Sequence, residues 1–74
     1  MAKYKLLIQK LHPVVYDITV QYEERTNEGA IVKAHEILKE EAELFSRGEY
    51  LGKLYKKSFL FGWQQISVPN LTCK

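Results

Sequence analysis

An α+β domain, with a small antiparallel sheet and one helix packed across it, is the fold class that the sequence predicts. The element order is β-β-α-β-β or β-β-α-β. Three observations carry that expectation. Residues 14–22 alternate between apolar and polar side chains, with Tyr16, Ile18, Val20 and Tyr22 on one side and Asp17, Thr19 and Gln21 on the other, the period of a half-buried strand. Between residues 27 and 47 the apolar positions Ala30, Ile31, Ala34, Ile37, Leu38, Leu44 and Phe45 recur at helical spacing, with Lys33, Glu36, Lys39, Glu40 and Glu43 opposite. Beyond Gly48 the pattern returns to aromatic and β-branched runs.

The first strand is expected over residues 4–11, rich in Leu, Ile and Tyr, and is broken by His12-Pro13, because proline lacks the amide hydrogen that a central ladder needs. A hairpin around Leu11–Val14 joins it to the second strand, with Leu6 and Ile8 favoured inward over Lys5, Leu7 and Gln9. Thr26 or Asn27 can cap the helix, and Glu28 in the first turn suits the positive end of the helix dipole. Gly48 is the expected left-handed stop, preceded by Arg47. About 20 helical residues span about 30 Å, enough to cross a small sheet.

After the helix, Leu54–Phe61 and Gln64–Val68 are the expected strands, ended by Pro69-Asn70. Phe59 and Phe61 are expected in the core. A bulge at Gly62-Trp63 would bring Ile66 and Val68 onto their side. The alternative is a turn at Lys56-Lys57-Ser58, giving strands over residues 50–55 and 59–68. Residues 69–74 are read as a tail open to fraying.

With 74 residues, 46% hydrophobic and 27% charged, the chain fits one domain, 1–74, of ordinary globular composition. A domain of this size buries only roughly 60% of its unfolded surface. Its single cysteine, Cys73, leaves no internal disulfide to reinforce it, so a homodimer is one way to extend the core. A lone thiol fits a reducing compartment, and a cytoplasmic location is expected. The apolar start, Leu6-Leu7-Ile8, is interrupted by Gln9 and Lys10, so it is neither a signal peptide nor a span, and no membrane partner is expected.

The net charge of +2 is unevenly placed. Residues 26–46 set Lys33 and Lys39 against Glu28, Glu36, Glu40, Glu41 and Glu43, whereas residues 47–74 set Arg47, Lys53, Lys56, Lys57 and Lys74 against Glu49 alone. A helix on one face of the sheet would then give the molecule an acidic side and a basic side, able to steer an anionic partner.

No catalytic constellation is visible, and no enzyme activity or cofactor is expected. His35-Glu36 opens like a zinc-protease HExxH motif, but Lys39 stands where the second imidazole would be needed on the same helical face. Ser46, Ser58, Ser67 and Cys73 are scattered, with no base marked for any of them, and the four glycines are isolated. Glu41 falls inside the apolar stripe of the helix. It can overhang the sheet edge and stay wet, bond a tyrosine or lysine of the sheet, or meet a partner.

The best functional candidate is the cluster Lys53, Tyr55, Lys56, Lys57 and Trp63. Lysines neutralise phosphates while exposed rings stack on bases, a combination that suits single-stranded nucleic acid. The same lysines also fit a solvated face or the protection of an edge strand.

The order Tyr4-x-Leu6-x-Ile8, then Tyr16-Asp17-Ile18-Thr19-Val20, then Asn27-Glu28-Gly29-Ala30-Ile31-Val32-Lys33-Ala34 at a helix start resembles small accessory proteins of phages and mobile elements. In those, two strands precede a helix that opens with an EAIxxA-type segment. Some anti-CRISPR and anti-restriction proteins are similar in size and organisation. The resemblance covers residues 4–45 and transfers no functional residue. It implies a compact, non-enzymatic binder, an accessory or inhibitor protein directed at a host protein or nucleoprotein complex in the host cytoplasm. A small nucleic-acid-binding domain is the alternative.

Overall fold

A computed structural model describes residues 1–12, 15–44, 49–69 and 71–73. The elements are β1 (Ala2–His12), β2 (Tyr16–Glu24), α1 (Asn27–Leu44), β3 (Glu49–Ser58), β4 (Gly62–Ile66) and β5 (Thr72–Cys73). The sheet runs β2-β1-β3-β4, with β5 pairing a separate stretch of β3, and every pairing is antiparallel. The expected α+β class and the helix between the second and third strands are both present.

Register follows from the alternation of apolar residues. Leu6 lies opposite Val20 on one side and Leu54 on the other, and Ile8 lies opposite Ile18 and Gly52. A shift of one residue would turn every one of these side chains to the opposite face. Tyr4, Leu6 and Ile8 are buried, so the favoured inward set of the first strand is the one observed. With Tyr50, Leu54, Leu71 and the helical Ala30, Ala34 and Leu38, they form the core between sheet and helix.

The helix begins as its capping chemistry requires. Thr26 Oγ1 accepts a hydrogen bond from the Gly29 amide at 3.0 Å, which satisfies one of the orphan donors of the first turn. Two tyrosines from neighbouring strands then hold that turn onto the sheet. The Tyr4 hydroxyl donates to Asn27 Oδ1 at 2.7 Å, and the Tyr22 hydroxyl donates to the Ala30 carbonyl at 2.6 Å. Their rings stack with centroids 5.9 Å apart. Burial, followed by the nearby Glu24 charge and Tyr4, pushes the Tyr22 phenol up to about 12. Tyr4 is raised for the same first reason, with Glu24 and Glu28 adding to it. Farther along α1, Glu41 is half-buried. The expected stop at Gly48, with Arg47 and Phe45 before it, lies outside the described residues, as do the turn at Pro13-Val14 and the side chain of Leu44.

The C-terminal third departs from expectation in two places. Phe59 and Phe61 are not core residues, and the chain neither runs through a bulge at Gly62-Trp63 nor turns at Lys56-Lys57-Ser58. Phe59-Leu60-Phe61 is itself the turn between β3 and β4, and all three side chains are exposed. Ser58 and Gly62 close it as a pair, Gly62 takes a φ of 71°, and the Phe61 amide donates to Ser58 Oγ at 3.4 Å. Three-residue hairpin loops need a left-handed position of this kind, and glycine supplies it without steric cost.

The second departure is the tail, which docks instead of fraying. The Gly52 amide donates to the Leu71 carbonyl at 2.8 Å, β5 pairs with Tyr50 and Leu51, and Leu71 is buried. A Cβ on Gly52 would come within 2.7 Å of Leu71 Cγ, so the missing side chain at residue 52 is the space that Leu71 fills.

Candidate interaction surface

Each strand that buries one set of side chains against α1 presents the alternate set on the opposite side of the sheet. From β1 these are Lys3, Lys5, Leu7 and Gln9; from β3, Leu51, Lys53, Tyr55 and Lys57; and from β4, Trp63 and Gln65. Among the described residues, no element covers this face.

Of the five residues singled out from sequence, the sheet brings four together. Lys53, Tyr55 and Lys57 alternate along β3, and Trp63 pairs directly with Lys57. Lys56 falls between them in sequence and therefore turns to the helix side, where its ammonium sits 5.9 Å from the Tyr4 ring centroid.

The sequence reading missed Lys5, which occupies the centre of the surface. Its Nζ lies 5.3 Å from the centroid of the Tyr55 ring and 4.7 Å from that of Trp63. At these distances the ammonium is attracted by the negative faces of both rings. Once Leu6 and Ile8 are assigned inward, β1 alternation sends Lys3, Lys5 and Leu7 outward, so the signal was present in the first strand.

The surface is electrically graded across its strands. Its acids, Glu23 and Asp17, lie on the β2 edge opposite Lys3 and Gln9. Lys5, Lys53 and Lys57 instead have Gln21, Tyr55, Leu7 and Trp63 as cross-strand neighbours. On the far side of the molecule Glu28, Glu36, Glu40 and Glu43 are exposed along α1. Of the basic set read from sequence, Lys53 and Lys57 lie on the sheet face opposite these carboxylates, Lys56 lies on the helix side, and Arg47 and Lys74 fall outside the described residues.

Other chemistry-bearing residues do not converge. His35 is exposed beside Leu38, Lys39 and Thr72 in a shallow groove. Among the described residues no three His, Cys, Asp or Glu side chains come close enough to hold a metal ion. No helix among them is long and apolar enough to cross a membrane.

Comparison with protein-family models, with curated proteins and with solved structures finds no match to this chain.

Proposed function

We propose that the chain is a non-enzymatic interaction protein whose uncovered sheet face captures an acidic surface on a host protein or nucleoprotein complex. The observation that carries this reading is the Lys5 ammonium held over both Tyr55 and Trp63, with Lys53 and Lys57 beside it on a face that no layer among the described residues covers. Rings capped by a cation present methylene and ammonium groups outward, which suits carboxylates with an apolar border. We extend the proposal to the accessory and inhibitor proteins of phages and mobile elements, on the likeness of element order.

Single-stranded nucleic acid is the second reading, favoured by lysines surrounding two rings on adjacent strands. For bases to stack there, Lys5 must swing off the ring faces.

Capture from host lysate separates surface from scaffold. Lys5→Glu/Lys53→Glu should lose the captured partner, and Lys56→Glu, on the opposite face, should retain it. Equal capture by both variants would overturn the proposal. Fluorescent single-stranded oligonucleotides test the second reading, because phosphate binding must weaken steeply and log-linearly as salt rises. No binding at low salt removes that reading.

A further inference from the structure

Going beyond the sheet-face reading, we propose that the β3–β4 turn is a membrane-surface anchor: Phe59, Leu60 and Phe61 insert into an anionic lipid bilayer, with Lys57 and Trp63 at headgroup level. The three side chains are 102%, 76% and 72% exposed, and they are consecutive at the tip of a hairpin. Scattered single apolar residues on a surface need no explanation, but a contiguous apolar tip does.

The position of the tip fits insertion. The molecule measures 38 × 20 × 19 Å, and the 11 residues of β1, at about 3.3 Å each, account for most of the long dimension. The turn therefore lies at one end of the long axis, beside exposed Met1 across a shallow depression shared with Lys3 and Lys57.

Polarity changes with depth along the hairpin as it does across a membrane interface. The apolar tip comes first, the Ser58–Gly62 pair closes it, and at the second strand position stands the Lys57–Trp63 pair, with Tyr55 and Gln65 two positions farther back on the same face. Interfacial elements bury their apolar part about 5–10 Å deep, leaving tryptophan and lysine at the headgroups.

Charge chooses this occupant over a second copy of the chain or an apolar pocket in another protein. Residues 50–74 contain Lys53, Lys56, Lys57 and Lys74 and no Asp or Glu. Glu23 and Glu24, the acids at this end of the sheet, lie on β2, which β1 separates from β3. A second copy docking tip to tip would bring lysines against lysines. An anionic bilayer supplies both an apolar interior for the phenylalanines and phosphate groups for the ammonium ions, with each lysine near such a surface adding to the attraction.

Trp63 is the chain's single tryptophan, so its emission reports the event directly. Titration with phosphatidylcholine vesicles containing a minority of phosphatidylglycerol should shift it to the blue and carry the protein down on sedimentation, whereas pure phosphatidylcholine should bind far less. Phe59→Ser/Phe61→Ser should weaken vesicle binding at least about tenfold with an unchanged circular dichroism spectrum, and Lys57→Glu about fivefold or more. At about 0.15 M salt, where the screening length is about 8 Å, Lys53→Glu, about 13 Å along β3 from Lys57, should stay within about twofold of native. If the double serine variant loses its spectrum, Leu60→Ser takes its place and should still show a measurable loss. The proposal is overturned by any of three results: no binding to anionic vesicles at low ionic strength, equal binding by native and serine variants, or a native dimer that the serine variant dissolves. Lys53→Glu alone probes the sheet face away from the tip, whereas Lys5 lies over Trp63, so loss of partner capture by Lys53→Glu with vesicle binding retained makes the two readings fail separately.

Discussion

Along β1, Tyr4, Leu6 and Ile8 point at α1 and are sealed, while Lys3, Lys5 and Leu7 point the other way and meet no second layer among the described residues. β3 repeats the division, with Tyr50 and Leu54 buried and Lys53, Tyr55 and Lys57 uncovered. Two surfaces with opposite duties are thus interleaved one residue apart in the same strands. The helix side supplies the burial that holds the domain together. The other side, released from that duty, can carry lysines and rings whose arrangement costs the fold little. Stability and recognition should accordingly separate under mutation, residue by residue along a single strand.

The largest effect expected of that separation is at Leu54. Leu54→Ala should lower the unfolding free energy by ~2–5 kcal/mol, and Leu7→Ala on the other face by less than ~1 kcal/mol, both read from urea denaturation. Similar losses at the two positions would break the comparison. Next comes Gly52, whose added methyl in Gly52→Ala must displace Leu71 and should cost ~1–3 kcal/mol. In a Leu71→Ala background that penalty should disappear, and a penalty that persists would place the clash elsewhere.

The smallest effect sharpens the account of the helix side. Tyr22→Phe removes the hydroxyl bonded to the Ala30 carbonyl and should cost ~0.5–1.5 kcal/mol at neutral pH. The native phenol is raised to about 12 from an ordinary value of 10.0. Between those values the folded state holds a proton that the unfolded chain has released, so stability is intact below pH 10 and falls as pH rises toward 12. Tyr22→Phe should flatten that alkaline decline, leaving only the part that comes from Tyr4 and other groups. An unchanged slope would remove Tyr22 as its source.

Periodicity made the helix side readable from sequence, because burial enforces it over many residues. The alternation over Ile18–Tyr22 and the stripe Ala30, Ala34, Leu38 both mark the face that is packed. The cap was legible as Thr26 or Asn27 for the same kind of reason: the missing bond partners of a first turn call for a side-chain oxygen there, and Thr26 supplies it.

The turn at residues 59–61 was not legible, because its side chains are those that a core strand would use. Only Gly62 pointed to it, and a left-handed glycine is equally consistent with a bulge. Lys56 was grouped with its neighbours by sequence distance, whereas a strand sorts neighbours onto opposite sides. Leu71 was concealed by Pro69-Asn70, which end a strand without revealing that the chain comes back. The hole above Gly52 that receives it exists only in three dimensions.

The pairing of β1 with β3 joins Tyr4 to Lys56 and Lys10 to Tyr50, positions 52 and 40 residues apart in the chain. During synthesis β1 and β2 can zip together early, and α1 needs only its own neighbours to coil. The remaining edge of β1 must then wait, with its amides and carbonyls open to any passing strand, until β3 arrives. A nascent chain arrested before β3 would therefore be a sticky species, and its solubility would depend on how soon translation resumes.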